Sequence, residues 1–259
     1  MDTLFHIDLT VGEFLLLVAG GIATGIINTL AGSGSLITLP IFVFLCGLPA
    51  PVANGTNRIG VVIQTIIGAH GFRKSGITAF EGTAWLIAPS IVGAIAGAEI
   101  AVQLNEKWMN NTLGALMVFM FLVLILKPER WIRETAVDTR RHKHPLTVLV
   151  FFLIGVYGGF IQAGVGIFLL AGLVWISGYS LRAANGIKLL IVFAFTVPAL
   201  LVFFGNQQVH LGYGLLMAVF QGLGAWIGVR FAARVPNANV WIYRLLIAIV
   251  VLSAIKFFV

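Results

Sequence analysis

The chain is short of charge and of cysteine. Of its 259 residues, 16 are Lys or Arg and 9 are Asp or Glu, so 10% are charged, against about 25% in an average soluble domain. Cys46 stands alone, which excludes an internal disulfide and a thiolate metal cluster. No His/Asp/Glu cluster has metal-ligand spacing, no Walker-type loop is present, and no Ser-His-Asp set can be assembled. With no nucleophile, metal site or acid–base pair to assign, the expectation is a non-enzyme without a cofactor. The first residues carry Asp2, Asp8 and Glu13 and no Lys or Arg. That is the wrong flank for a cleaved signal peptide, so the first apolar segment is expected to be retained.

What is abundant is apolar surface. The chain is 59% hydrophobic with a mean hydropathy of +1.04, and apolar runs near bilayer length recur throughout. The expected class is an all-α polytopic membrane protein, with the lipid bilayer as its first partner. The net charge of +7 is no nucleic-acid signal, because the basic residues sit mostly at segment ends, where they orient helices.

Ten apolar segments are expected. They cover about 11–28, 34–47, 54–71, 82–103 and 108–126, then 146–162, 166–177, 184–204, 211–232 and 239–258. Residues 1–126 form an N-terminal repeat, 127–145 a connecting loop, and 146–259 a C-terminal repeat. The loop holds Lys127, Arg130, Arg133, Arg140, Arg141 and Lys143, and the positive-inside rule places it in the cytoplasm. The turns near Arg73/Lys74, Arg182 and Arg230/Arg234 then also fall inside, and the acidic N-terminus outside. Five segments per half is an odd number, so the two halves enter the membrane from opposite sides: an inverted repeat with helices broken near mid-membrane. Segments 34–47 and 166–177 reach only ~18–21 Å at 1.5 Å per residue, short of the ~30 Å hydrocarbon core. Parity alone leaves open whether they span or re-enter.

The breaks carry the candidate site. Asn28, Gly32, Ser33 and Gly34 surround the first; Gln162, Gly164 and Gly166 surround the second. Asn28 and Gln162 are read as matching amides that donate to an oxyanion or cap broken backbone. Ala53-Asn54-Gly55 and Ala184-Asn185-Gly186 repeat one another, and Asn54 and Asn185 are expected to N-cap the helices that follow. Asn54, Asn57 and Arg58 share one face, as do Asn185 and Lys188. Helix N-termini bind anions through free amides, and a cation inside a membrane segment is a functional signal. These residues therefore point to a small anion bound between the halves. The bland readings are that Arg58 and Lys188 snorkel to the interface and that the amides only cap. Ser35, Thr56 and Gln64 are further polar candidates. Glu99 and His70 read as interfacial. Gly21/Gly25, Gly93/Gly97, Gly155/Gly159 and Gly224/Gly228 read as helix-packing pairs, within one chain or between two copies, which leaves a homodimer open. Pro40, Pro89 and Pro198 are expected to kink helices.

At these residues the chain resembles the sulfite exporter family typified by the bacterial exporters TauE and SafE. The stretches that carry the likeness are Asn28-Thr-Leu-Ala-Gly-Ser-Gly-Ser-Leu-Ile-Thr-Leu-Pro40, Gly47-Leu-Pro49 and Val52-Ala-Asn-Gly-Thr-Asn-Arg58. In the second half they are Gln162-Ala-Gly-Val-Gly-Ile-Phe168 and Arg182-Ala-Ala-Asn-Gly-Ile-Lys188. The resemblance implies a bacterial inner-membrane carrier exporting small sulfur-containing anions, sulfite or organosulfonates such as sulfoacetate, coupled to protons. The residues themselves ask only for an anion, so a carrier or channel for small carboxylates or other inorganic anions is the alternative.

Overall fold

The computed structural model describes residues 5–74, 83–125, 144–234 and 255–256. All but Ile255 and Lys256 of the tenth expected segment, almost all of the 127–145 loop and the 75–82 turn lie outside these. Among the described residues the regular structure is helical: α1 (Val11–Ala31), α2 (Ser35–Pro40), α3 (Ala50–Lys74), α4 (Ala84–Val102), α5 (Glu106–Ile125), α6 (Pro145–Phe160), α7 (Val165–Ala171), α8 (Leu181–Gly205) and α9 (Leu211–Arg234). Spans at 11–31, 84–102, 183–205 and 211–230 are long and apolar enough to cross a membrane. Large apolar side chains such as Leu15, Leu16, Val92, Leu122, Leu149, Leu201, Val219 and Trp226 face outward, which suits lipid and not water. The protein is an all-α polytopic membrane protein.

Each half contains a helical hairpin at its break. The αL residue Gly32 (φ 73°) ends α1, and α2 turns back along it. Thr38 Oγ1 meets Thr24 Oγ1 at 3.2 Å, and Ile41 lies against Gly20. In the second half α7 returns along α6, so that Gly172 faces Ile154 and Phe151. Short segments 34–47 and 166–177 therefore double back along the preceding helix. Both returning helices widen into a π turn, Ile41–Leu45 and Gly172–Ile176. The turns close alike. Cys46 N–H donates to Ile41 O and Ser177 N–H to Gly172 O, while Leu48 N–H donates to Phe42 O and Tyr179 N–H to Leu173 O. Side-chain identity hides this duplication; the backbone repeats it bond for bond.

Contacts between the halves follow the same exchange. Gly21 and Gly25 of α1 lie against Phe220 and Gln221 of α9, while Gly93 and Gly97 of α4 lie against Phe152 and Val156 of α6. Small residues let these backbones approach closely in lipid, where packing and not the hydrophobic effect holds helices together. Each pair matches the first helix of one half with the fourth of the other, running parallel. Third helices α3 and α8 cross antiparallel: Gly55 faces Phe203, and Gly68 faces Leu189. Pro40, Pro89 and Pro198 lie inside helices.

Two expected helix starts need correction. α3 begins at Ala50 and α8 at Leu181, so Asn54 and Asn185 lie one turn inside their helices and cap neither. Proline explains the first, since Pro51 is tolerated in an opening turn and starts the helix before the asparagine is reached. Ser180 explains the second: its Oγ accepts from Ala183 N at 3.3 Å and is the N-cap.

Candidate functional site

The two breaks touch. Gly166 N–H donates to Gly32 O at 3.0 Å. A Cβ on Gly32 would stand 2.4 Å from the Gly166 Cα, and one on Gly166 would stand 2.3 Å from the Gly32 Cα. Only two glycines permit this crossing. Gln162 occupies an αL conformation (φ 67°), which costs a side-chain-bearing residue ~1–2 kcal/mol. Its place in the hairpin is that of Gly32, three residues before the returning helix, so Asn28 and Gln162 are not positional equivalents. Both still serve the breaks: Asn28 Oδ1 accepts from Gly34 N at 3.3 Å, and Gln162 Nε2 donates to Thr196 Oγ1.

Beside the crossing lies a cavity lined by Asn28, Gly32, Gln162, Gly166 and Lys188, with Ser35, Thr65 and the apolar Val61, Val165, Leu189 and Val192 completing the wall. It leaves about 10 Å³ for the centre of a water-sized sphere, the room one water needs. An oxyanion does not fit without movement, so the arrangement is occluded. Lys188, 1% exposed, donates from Nζ to Asn185 Oδ1 at 3.0 Å and to Thr29 O at 3.2 Å. Gln162 Oε1 is buried with no hydrogen-bond partner. An unsatisfied amide oxygen in a membrane core costs ~1–3 kcal/mol and marks a place where a water or ligand would supply the missing contact.

The two cations do not converge on this cavity as a pair. Arg58, 0% exposed, sends Nη1 to Gly158 O at 3.2 Å and Nη2 to Gly159 O. Its guanidinium carbon lies 4.4 Å from the centre of the Phe203 ring. Asn54 Nδ2 adds a bond to Phe160 O at 2.8 Å. Gly158 to Phe160 are the last residues of α6, and Thr29 lies in the last turn of α1. Each half thus sends a cation to cap the broken first helix of the other, where orphan carbonyls and the dipole's negative end favour positive charge. Arg58 is spent on the cap; Lys188 caps and also faces the cavity. Snorkelling to the interface is excluded for both by burial.

The remaining candidates are placed as follows. Asn57 reaches the cavity indirectly through a 3.0 Å bond from Nδ2 to Ser35 Oγ, and its Oδ1 has no partner. Ser33 is buried with an unpartnered hydroxyl. Gly34 packs on Thr24 and Asn28, and Gly164 (φ 73°) on Met120. Thr56 accepts from His210 N–H at 2.9 Å and is structural. Gln64 is buried, with neither amide atom partnered. Thr65 and Thr196 went unread in the sequence, although Asn54, Arg58, Val61 and Thr65 continue one stripe at three- to four-residue spacing, which puts Thr65 on the site face. Among the described residues no group of His, Cys, Asp and Glu could hold a metal ion.

Duplicated hairpins with broken backbone point to a transporter, because irregular backbone within a membrane protein is tolerated only where it is buried in protein or lines a cavity. The profile described as "Sulfite exporter TauE/SafE" matches residues 17–257, and the chain belongs to that family. It is 29% identical over 217 residues to a probable membrane transporter protein, ORF9, of Sinorhizobium sp, covering 84% of this chain and 82% of that one. It is 25% identical over 206 residues to the probable membrane transporter protein YfcA of Escherichia coli K12, covering 80% and 76%. A probable membrane transporter protein of Xylella fastidiosa Temecula1 is 24% identical over 251 residues, covering 92% and 91%. No solved structure matches.

Proposed function

We propose that this chain exports small sulfur-containing anions, sulfite or organosulfonates such as sulfoacetate, across the bacterial inner membrane by alternating access, in exchange for the energy of a proton gradient. The observation that carries the reading is the buried Lys188 ammonium in the cavity wall, beside the crossed breaks and an amide oxygen without a partner. An anion accepts hydrogen bonds from Lys188 and from the Asn28 amide, while a protonated oxygen such as that of bisulfite donates to Gln162 Oε1. The family description supports sulfur as the central atom. Lys188 supports proton coupling, because it is an ionisable side chain in the cavity wall, with no carboxylate or histidine beside it among the described lining residues.

The carrier consists of repeats 1–126 and 146–259 joined by a cytoplasmic loop, 127–145, with the N-terminus in the periplasm. The halves rock about the Gly32–Gly166 crossing, and the occluded cavity opens to one side at a time. Uptake of radiolabelled sulfite into proteoliposomes, with and without an imposed pH gradient, tests the reading. Saturable uptake that grows with the gradient and disappears in Lys188→Met supports it. Flux in Lys188→Met equal to wild type removes the lysine from the site. Ohmic, non-saturating current would make the protein a channel, and saturable acetate flux with none of sulfite would move the substrate to carboxylates.

A further inference from the structure

A groove of about 510 Å³ opens between α3 and α8, lined by Thr65, Ile66, Ala69, His70, Arg73, Leu190 and Phe193. It shares Thr65 with the occluded cavity. From Thr65 to Arg73 is eight residues along α3, or about 12 Å, so the groove leads from the C-terminal end of that helix to the cavity wall. Between the two spaces Thr65 turns its hydroxyl back to Val61 O at 2.7 Å, and Leu189 closes on Gly68 from α8. The partition is thus two side chains, Thr65 and Leu189, on helices that cross there, with Thr29 of α1 standing beside Gly68 as well.

Charge at this end has one sign among the described residues. Arg73, Lys74 and Arg230 stand at the ends of α3 and α9. The four described carboxylates, Asp8, Glu13, Glu99 and Glu106, stand at the opposite end, before α1, in its first turn, in the last turns of α4 and in the first turn of α5. A cleft edged by one sign of charge raises the local concentration of the opposite ion.

We infer that the α3–α8 groove is the inner vestibule through which small anions reach the central cavity, with Arg73 at its mouth and Thr65 and Leu189 as the gate. This goes beyond the transport reading, although it rests on the central cavity being the binding site. Separation of α3 from α8 around Gly68 opens the gate, and the Gly32–Gly166 crossing need not break for it. The positive-inside rule makes this the cytoplasmic side.

The test is thiol accessibility in the full chain in a Cys46→Ser background, with single cysteines at Ala69 and Thr65. The probes are an anionic sulfonatoethyl and a cationic trimethylammonioethyl methanethiosulfonate, each applied from one face of the membrane. Ala69 is one helical turn, about 6 Å, from Arg73. One unit charge at that distance in water changes a local ion concentration roughly threefold. Arg73→Gln is therefore expected to slow the anionic reagent and speed the cationic one at Ala69→Cys, shifting their rate ratio roughly tenfold. Thr65→Cys is expected to react more slowly, and only from the Arg73 side; if that variant does not fold, Val192→Cys on the opposite cavity wall takes its place. No reaction at Ala69→Cys means a lipid-filled groove and overturns the proposal. So does a rate ratio indifferent to Arg73→Gln, or reaction at Ala69 with none at the cavity position. Labelling needs no transported ion. Absent flux with intact labelling would therefore sink the sulfite reading alone.

Discussion

Replacing Gly166 with alanine tests whether the crossing of the two hairpins holds the molecule together. The new Cβ would lie 2.3 Å from the Gly32 Cα, 2.6 Å from its carbonyl oxygen and 2.9 Å from its carbonyl carbon. All three atoms are backbone, so no side chain can rotate away. Ordinary contact requires about 3.4–4 Å, and the hairpins must part by over 1 Å. That movement breaks the 3.0 Å bond from Gly166 N–H to Gly32 O, worth about 0.5–1.5 kcal/mol. Overpacking adds about 1–3 kcal/mol, for a total of roughly 2–4 kcal/mol. Gly172→Ala is the control. It sits in the same returning helix, and its Cβ would meet only Ile154 and Phe151 side chains at 3.4 Å or more, so the better helix propensity of alanine should leave it neutral or slightly stabilising. Purified variants would be heated in detergent and the monodisperse fraction measured by size-exclusion chromatography. Gly166→Ala should lose its peak roughly 5–15 °C below wild type, and Gly172→Ala should match wild type. Equal midpoints for both variants would refute the view that the backbones must touch here.

Three further outcomes follow from named contacts. Ser180→Ala should lower stability by about 1 kcal/mol as a lost N-cap, read in the same heating assay; an unchanged midpoint would show that α8 has no need of it. Asn185→Asp places a carboxylate on Lys188 Nζ, now 3.0 Å from the amide oxygen, and should weaken half-saturating sulfite at least roughly tenfold by competing for the ammonium. Unaltered half-saturation in the liposome assay would separate Lys188 from the substrate. Arg58→Lys keeps the charge but loses the fork that reaches two carbonyls and the stack on Phe203. It should cost roughly 2–4 kcal/mol, so a midpoint within 2 °C of wild type would show that charge alone suffices at that cap.

The legible part of the fold was that set by composition and by unlike residue types. Runs of apolar residues marked the spans, and Gly32, Gly34, Gly164 and Gly166 marked the breaks, Gly32 and Gly166 because a crossing of two backbones requires glycine. Helix starts were misplaced where a weak asparagine signal was weighed above Pro51 and Ser180. The direction of the short helices could not be read from parity, and contacts such as those of Thr24 with Thr38 and of Ile154 with Gly172 show the doubling back. Thr196 lies 34 positions from Gln162, a separation at which periodicity carries no information. The duplicated π turns were hidden for a related reason: backbone bonds define them, and of their side chains, Ile41 to Leu45 and Gly172 to Ile176, only Val43 and Val174 match.

Arg58 and Lys188 make the two caps of the repeat unlike. A protein built from two like halves would carry the same cation twice, and a site on its pseudo-axis would feel both. Here the caps are equivalent but the side chains are not. Guanidinium reaches two carbonyls at once and stacks on Phe203, leaving only Nε without a partner, so its geometry is fixed by α6 and α8. An ammonium on a flexible stem has no fork to satisfy, so on the proposed reading Lys188 would swing from Thr29 O to an anion in the cavity. On that reading, movement of this one side chain would uncap α1 as it engages the anion. Anion binding would thereby be linked to the end of a hairpin that shifts when the halves rock, in the first repeat and not in the second.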